Sequence, residues 1–216
     1  MKMVHHMCFV CGTLPVLQPA RQLQKTKEHL LVAVNLMSLF LHNGKNKERL
    51  NLTYSVRFPQ SFSFVKGGKL PGFYGGEVYS GQRPPDGTNG FSTRYMWNRD
   101  GRGSAYVYSP EIGGHSFDHG IHYGLGNWSF VKGEWLDMRQ QVRLNEPGQD
   151  DGRIQVWMND QEVLHQRGMR YRGVENLEFG GVFFSTFFGG SDSTWATPVN
   201  MHLDFANFQV NDSFRE

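Results

Sequence analysis

The chain has 216 residues, a formal net charge of +2, 26 glycines and 14% aromatic residues. This length suits one domain or one domain with an appendage, and the glycine and aromatic content favours a turn-rich all-β structure over a helical bundle. The small net charge implies no strong field for nucleic acid. The sequence also has no phosphate-binding P-loop, dinucleotide fingerprint or His-Glu-x-x-His motif, which excludes several common enzyme classes.

Residues 1–48 differ from the rest of the chain in their residue pattern, and they contain both cysteines, Cys8 and Cys11. A single Cys-x-x-Cys pair is weak support for zinc, which needs four ligands, even if His5 and His6 were to complete the set. We interpret the pair as two free thiols. We expect this segment to be an atypical extension, partly helical or disordered, that precedes a domain over residues 49–216.

The targeting signals are ambiguous. The start of the chain lacks a charged region followed by an apolar core, and the apolar stretch 30–41 is too short to span a bilayer. A short amphipathic or core helix is the better interpretation of that stretch. Glycosylation sequons at Asn51, Asn127 and Asn211 are compatible with secretion, but such triplets also arise by chance.

From residue 50 onward, short alternating segments are separated by turn residues. Strands are predicted over 50–58, 62–69, 91–98, 105–109, 135–144, 153–158, 181–190 and 201–210. Turns are predicted at 84–90, 98–103, 147–152 and 159–162, with a glycine- and histidine-rich loop over 115–127. Many short strands at regular spacing predict a two-sheet antiparallel sandwich or jelly roll.

Two polar pairs occur at strand spacing. Ser92 and Arg94 form the first pair, and Tyr106 and Tyr108 the second. Residues i and i+2 of a strand point to the same face, so each pair projects together. Taken singly, such pairs are more often packing or solvated residues.

Two further cations, Lys66 and Lys69, lie in the Lys-Gly-Gly-Lys-Leu-Pro-Gly segment. Cations that face two phenols are suited to holding an acidic sugar while a proton is removed from carbon. The combination therefore predicts a site for chemistry on a uronic acid.

Several ordered motifs resemble those of the family-14 polysaccharide lyases, which include alginate lyases of molluscs and uronan-degrading lyases of algal viruses. The motifs lie at 66–76, 91–97, 105–108, 142–148 and 184–192. The resemblance covers residues 50–210. It implies a β-jelly roll with a concave glycan-binding cleft that acts by β-elimination without a metal or other cofactor. It also implies an extracellular protein whose partner is an acidic polysaccharide, either alginate or a glucuronan. We expect a monomer with no nucleic-acid or membrane partner.

The resemblance also assigns roles to individual residues. The family's functional positions fall on Ser92, Arg94, Tyr106 and Tyr108, and the family's lysine falls on Lys69 or Lys66. We favour Lys69 as the catalytic lysine, with Lys66 as a neighbouring substrate contact.

The chemistry requires removal of the proton at C5, next to the carboxylate, and departure of the oxygen at C4. Arg94 and a lysine would neutralise the carboxylate. A tyrosine would act as base, and because its ordinary pKa is about 10, neighbouring cations would have to lower that pKa. The sequence does not decide which tyrosine is the base.

Histidines and tryptophans supply the remaining candidates. His115, His119 and His122, with Asp118, invite a metal interpretation, but their irregular glycine-rich setting favours His115 as a substrate contact at the edge of the cleft. Trp97 is a candidate for stacking on a sugar ring. Four tryptophans could stack on a sugar in this way, although core packing is the default interpretation for each of them: Trp97, Trp128, Trp157 and Trp195.

Two other functions compete with the lyase. A non-catalytic carbohydrate-binding jelly roll would keep the cations but not turn over substrate, and the presence of both tyrosines argues for the enzyme. A damaged homologue, with its first 48 residues replacing missing strands, would aggregate or unfold without cooperativity.

Overall fold

The computed structural model describes residues 7–11, 47–79, 84–110, 119–190, 192–197 and 199–212, with the backbone alone in 7–11. Twelve strands lie in these ranges. They are β1 (Met7–Cys11), β2 (Arg49–Arg57), β3 (Gly67–Gly76), β4 (Gly90–Asn98), β5 (Gly103–Tyr108), β6 (Ile121–Tyr123), β7 (Trp135–Arg143), β8 (Gly152–Met158), β9 (Gln161–Met169), β10 (Phe179–Phe183), β11 (Phe187–Phe188) and β12 (Met201–Asn211).

The strands form two antiparallel sheets. Sheet 1 has the order β1-β12-β2-β7-β8-β9, and sheet 2 has the order β10-β3-β4-β5-β6, with β11 also paired to β3. The two sheets pack through one apolar core, so the predicted all-β jelly-roll sandwich is confirmed. No helix in the described ranges is long and apolar enough to cross a membrane.

Alternation along each strand creates the core. In sheet 1 the even-numbered positions of β2 point inward, and in sheet 2 the odd-numbered positions of β4 do so. The inward side chains of these two strands are Leu50, Leu52, Tyr54, Val56, Phe91, Thr93, Tyr95 and Trp97, all at most 3% exposed. Each large apolar side chain buried in this way contributes roughly 1.5–3 kcal/mol to folding. The even-numbered side chains of β4 therefore project from the opposite face of sheet 2.

Two side chains of sheet 1 form hydrogen bonds across the core to sheet 2. The Tyr54 hydroxyl donates to the Pro71 carbonyl at 3.2 Å. The Thr93 hydroxyl donates to Gln140 Oε1 at 2.7 Å, and Gln140 Nε2 donates to the Thr93 carbonyl at 2.7 Å. Pro71 lies at a register shift of β3, and Thr93 is in the middle of β4. The polar contacts thus fix the two strands that carry the predicted site residues.

The strand boundaries differ from the predictions at several glycine-rich places. The strand expected over 62–69 begins only at Gly67 and continues to Gly76, because Val65 adopts a turn conformation with φ of 51°. The expected loop over 115–127 contains the short strand β6. The single strand expected over 181–190 is two short strands, β10 and β11, which both pair with β3.

Strand β1 lies within the segment that was expected to be helical or disordered. It forms the edge of sheet 1 and pairs with β12, with Met7 opposite Phe205 and Cys11 opposite Met201. The stretch 30–41 lies outside the described residues.

Candidate active site

The hairpin of β4 and β5 places both predicted polar pairs on one face of sheet 2. Ser92 lies directly opposite Tyr108, and Arg94 directly opposite Tyr106. This is the face directed away from the core, which we call the site face. The alternation predicted that each pair would project together, and the antiparallel register brings the two pairs side by side.

Lys69 joins this cluster from β3. It lies opposite Met96, its Nζ is 2.8 Å from the Met96 sulfur, and the same Nζ is 3.5 Å from the centroid of the Tyr106 ring. Lys66 lies elsewhere: its ammonium contacts the Thr194 hydroxyl and is 5.8 Å from the Trp195 ring. Of the two candidate lysines, Lys69 is therefore the one in contact with the tyrosines.

Burial has a large effect on Lys69, which is only 7% exposed. Burial, together with the positive charge of Arg94, lowers the pKa of Lys69 from 10.5 to about 6. At neutral pH the amine is consequently neutral, with a lone pair that can accept a proton.

Arg94 lies fully buried beneath the site face. Its guanidinium is 4.3 Å from the centroid of the Phe183 ring. In the pairing register Gly72 separates Phe183 from Arg94, and a Cβ at Gly72 would lie 2.5 Å from the Arg94 Cα. Burial lowers the pKa of Arg94 to about 10, while the phenols of Tyr108 and Tyr106 oppose that shift. Arg94 therefore remains a cation at neutral pH.

The two tyrosines contact each other edge to face, with ring centroids 5.4 Å apart and planes at 85°. Burial and the hydrogen bond with Tyr108 raise the pKa of Tyr106, and the opposing charge of Arg94 is a smaller effect. A tyrosine base was expected to need neighbouring cations to lower its pKa, and at Tyr106 the loss of water outweighs the charge of Arg94. Tyr106 is a protonated phenol at neutral pH.

Ser92 is also fully buried, and its hydroxyl donates to the Tyr79 carbonyl at 3.1 Å. The resemblance to the family placed a functional position on Ser92. In this structure the hydrogen is used within the chain, in a bond that joins β4 to Tyr79.

Two residues of the site face were not assigned to it from the sequence. Met96 follows Ser92 and Arg94 at the same spacing of two, so the alternation could have identified it. His122 lies opposite Tyr106, its ring centroid 4.6 Å away, and its Nδ1 is 2.9 Å from the Ser104 hydroxyl. The sequence marked His122 only as one of three histidines in a glycine-rich loop, and its three-residue strand was too short to show that it faces Tyr106.

Loss of water on the packed side of the ring and the charge of protonated Lys69 lower the pKa of His122 to about 4, although the residue as a whole remains exposed. Among the described residues no group of three or more His, Cys, Asp or Glu side chains could hold a metal ion. His115 and Asp118 lie outside the described residues.

Trp97 is a correction. It is fully buried on the core face of β4, and its indole nitrogen donates to the Phe64 carbonyl at 3.2 Å. It cannot stack on a sugar, since an odd-numbered position of β4 points away from the site face. Trp128 is likewise buried, whereas Trp195 is partly exposed and packs against the cluster of Met96 and the two site tyrosines.

The comparisons with known proteins concern the family and the fold. The family model for polysaccharide lyase 14 matches residues 14–208. The crystal structure of the PL-14 alginate lyase from Aplysia kurodai is 32% identical, with a TM-score of 0.66 over 77% of this chain and 70% of that chain.

Two other solved alginate lyases are similar. A variant of alginate lyase Aly36B, with a lysine and a tyrosine replaced by alanine and an alginate tetrasaccharide bound, is 28% identical, with a TM-score of 0.66 over 78% of this chain and 71% of that one. The lyase vAL-1 from Chlorella virus, at 24% identity, a TM-score of 0.66 and coverage of 78% and 72%, supports the fold alone. The comparison with curated proteins gave no significant match. Because the family model spans most of the sequence, the chain belongs to the polysaccharide lyase 14 family and is a polysaccharide lyase.

Proposed function

We propose that this lyase cleaves a 1,4-linked uronic-acid polymer, with alginate as the first candidate, by β-elimination. The observation that carries the proposal is the contact between Lys69 and Tyr106 beside the buried charge of Arg94. Support for alginate comes from the relatives named above, which are alginate lyases, one of them with an alginate tetrasaccharide bound.

The reaction breaks the C5–H and C4–O bonds of one sugar and forms a C4–C5 double bond. Neutral Lys69 accepts the C5 proton and becomes an ammonium. The electron pair left on carbon is delocalised into the neighbouring carboxylate, and the fixed charge of Arg94 stabilises the negative charge that develops there. The electrons then expel the C4 oxygen, which takes a proton from a phenol.

Tyr106 is the phenol best suited to donate that proton. Its raised pKa keeps it protonated over the pH range in which Lys69 is already neutral. Two neighbouring groups whose pKa values are moved in opposite directions form a natural base and acid.

A tyrosine base is the second candidate, and it was the first expectation from the sequence. The close contact of the Tyr106 and Tyr108 rings and their hydrogen bond support a proton relay between phenols. In that case Arg94 would serve as the cation while Lys69 stayed neutral, and activity would rise only at alkaline pH.

The test is incubation with a panel of uronans: polymannuronate, polyguluronate, mixed alginate and polyglucuronate. Elimination produces unsaturated ends, seen as a rise in ultraviolet absorbance and as products of the corresponding mass. Absence of unsaturated product on every uronan would overturn the proposal.

We also propose that the enzyme acts outside the cell as a monomer, since a polymeric substrate of this kind is met there. Fractionation of an expressing culture, with light scattering of the purified protein, tests both statements.

A further inference from the structure

The outer face of sheet 1, opposite the core, carries a straight row of arginines across four neighbouring strands. Arg49 lies directly opposite Arg143. Arg143 lies opposite Arg153, and Arg153 opposite Arg167. We call these four residues the arginine row.

Arg49, Arg143 and Arg153 share one face because their buried strand neighbours point the other way, and Arg167 joins them because it lies directly opposite Arg153. Leu50, Val142 and Ile154 follow or precede members of the row and are buried in the core at 3% exposure or less. Arg49 and Arg167 are exposed, Arg153 is half-buried, and the Arg143 side chain retains 40% of its accessible surface. The row is therefore presented to solvent.

The alignment of these four like charges works against the stability of the fold. Adjacent strands are about 4.8 Å apart, and like charges placed directly opposite each other destabilise a sheet. Asp151 offsets part of this charge, with its carboxylate 3.5 Å from the Arg143 guanidinium. Arg167 donates from Nε to His165 Nε2 at 3.2 Å, and Nδ1 of the same ring lies 3.7 Å from the Glu162 carboxylate. Four guanidinium groups in one line across neighbouring strands point to an anionic ligand.

Aromatic rings continue the same face. Trp157 lies two alternations along β8 from Arg153, and the Arg139 guanidinium is 4.1 Å from its ring centroid. Trp135, at 37% exposure, lies further along β7 with the Arg57 guanidinium 4.9 Å from its ring. Indole faces pack against the CH groups of sugar rings, and guanidinium groups bind carboxylates in two-point fashion. The combination fits an acidic polysaccharide.

We propose that the arginine row and Trp157 form a second, non-catalytic binding surface for the uronan itself. The proposal rests on the proposed function, because a uronan carries one carboxylate on every sugar and so matches a line of arginines. The surface lies on the opposite side of the sandwich from the site face. This surface would hold the polysaccharide while the active site cleaves another segment of the same molecule or of a neighbouring polysaccharide molecule. The gain in activity would therefore depend on the length of the polysaccharide.

The test compares two double variants with the same change of charge. Arg153→Ser/Arg167→Ser removes half of the row, and Arg99→Ser/Arg102→Ser, at exposed positions of the β4–β5 turn, is the control. Retardation is measured in native gels containing alginate, polyglucuronate, a neutral glucan or DNA, at low and high salt. Initial rates are measured on polymeric alginate and on an alginate tetrasaccharide.

We expect the row variant to bind alginate about tenfold more weakly than the control, the scale of losing two exposed ion pairs. Its kcat/KM should fall on polymer and stay unchanged on tetrasaccharide. Equal retardation of both variants would overturn the proposal, and retardation by DNA as strong as by alginate would refute the assigned ligand. If the wild type cleaves no uronan, the proposed function fails, while the gels still report whether the row binds one.

Discussion

The Nζ atom of Lys69 lies 3.5 Å from the centroid of the Tyr106 ring, and the two groups have pKa values moved in opposite directions. Burial lowers the pKa of Lys69 to about 6 and raises that of Tyr106. Both shifts have one physical cause, since a buried site disfavours the charged form of each group. The same burial thereby prepares a neutral amine and a neutral phenol side by side.

Replacement of Lys69 should separate its role as a base from its role as a cation. Lys69→Arg keeps a positive charge but provides no group that can accept a proton near neutral pH, so we expect turnover to fall by at least about a hundredfold. We expect an equal fall in turnover for Lys69→Ala. Lys66→Ala is the matched control, since Lys66 contacts Thr194 rather than the tyrosines. Substantial activity in Lys69→Arg would assign the lysine to charge neutralisation.

The pH profile of kcat/KM gives an independent measure of the base. The neutral form of Lys69 is the active one, so activity should rise as pH increases through about 6 and then reach a plateau. Initial rates on alginate at constant ionic strength, from pH 5 to pH 11, check this. A rise that begins only above pH 9 would instead indicate a tyrosine base.

The two tyrosines should differ in effect. Tyr106→Phe removes the phenol in contact with Lys69, so turnover should be lost while binding of oligosaccharide is retained. Tyr108→Phe removes the hydrogen-bond partner of Tyr106, and we expect a smaller loss of kcat. Calorimetric binding of an alginate oligosaccharide to each variant separates binding from turnover. Wild-type rates in both variants would remove the phenols from the reaction.

The sequence predicts those parts of the site for which a spacing of two residues along a strand is enough to decide which face a side chain occupies. Ser92 with Arg94, and Tyr106 with Tyr108, are each on one face because strand geometry requires it. The same rule places Trp97 on the opposite face, so its burial was predictable from its odd-numbered position.

Other features depend on contacts between distant segments. The choice between Lys69 and Lys66 required the register of β3 against β4, which shifts at Pro71 between two glycine-rich stretches. The raised pKa of Tyr106 depends on how much water is excluded around it, and no local pattern encodes that. His122 reaches Tyr106 through a strand too short to be recognised from alternation.

The buried amine of Lys69 should destabilise the fold in a pH-dependent manner. Its pKa is 10.5 when exposed to water and about 6 in the folded protein, so between these values the unfolded chain binds more protons. Stability therefore rises as pH increases from about 6 to 10.5, and the cost of burying the charge is greatest below pH 6.

Lys69→Met removes that cost and adds an apolar side chain next to Met96. We expect the variant to be more stable than wild type by several kcal/mol at pH 6, with the difference shrinking as pH rises toward 10. Urea unfolding at a series of pH values measures it, and Lys66→Met is the control. A constant difference at all pH values would show that packing, and not ionisation, sets the stability of this position.

The hydrogen bonds between Thr93 and Gln140 should couple stability to catalysis, because Thr93 lies between Ser92 and Arg94 in β4. Gln140→Leu leaves the buried Thr93 hydroxyl without this acceptor, at a cost of about 1–3 kcal/mol. Adding Thr93→Val to Gln140→Leu also removes the hydroxyl that has lost its acceptor. The double variant should therefore regain part of the stability that Gln140→Leu loses. Recovery should be incomplete, since the Thr93 carbonyl still lacks the amide that donated to it.

The loss of turnover in these variants should follow the same order as the loss of stability. Arg94 stays on the site face in every variant, but the strand that carries it loses its link to sheet 1, so kcat should fall more than KM rises in Gln140→Leu. Unfolding in urea and initial rates on tetrasaccharide, measured for both single variants and the double variant, complete the cycle. If the effects on stability are additive, Thr93 and Gln140 do not interact energetically. If kcat is unchanged in a destabilised Gln140→Leu, the contact supports the fold without positioning Arg94.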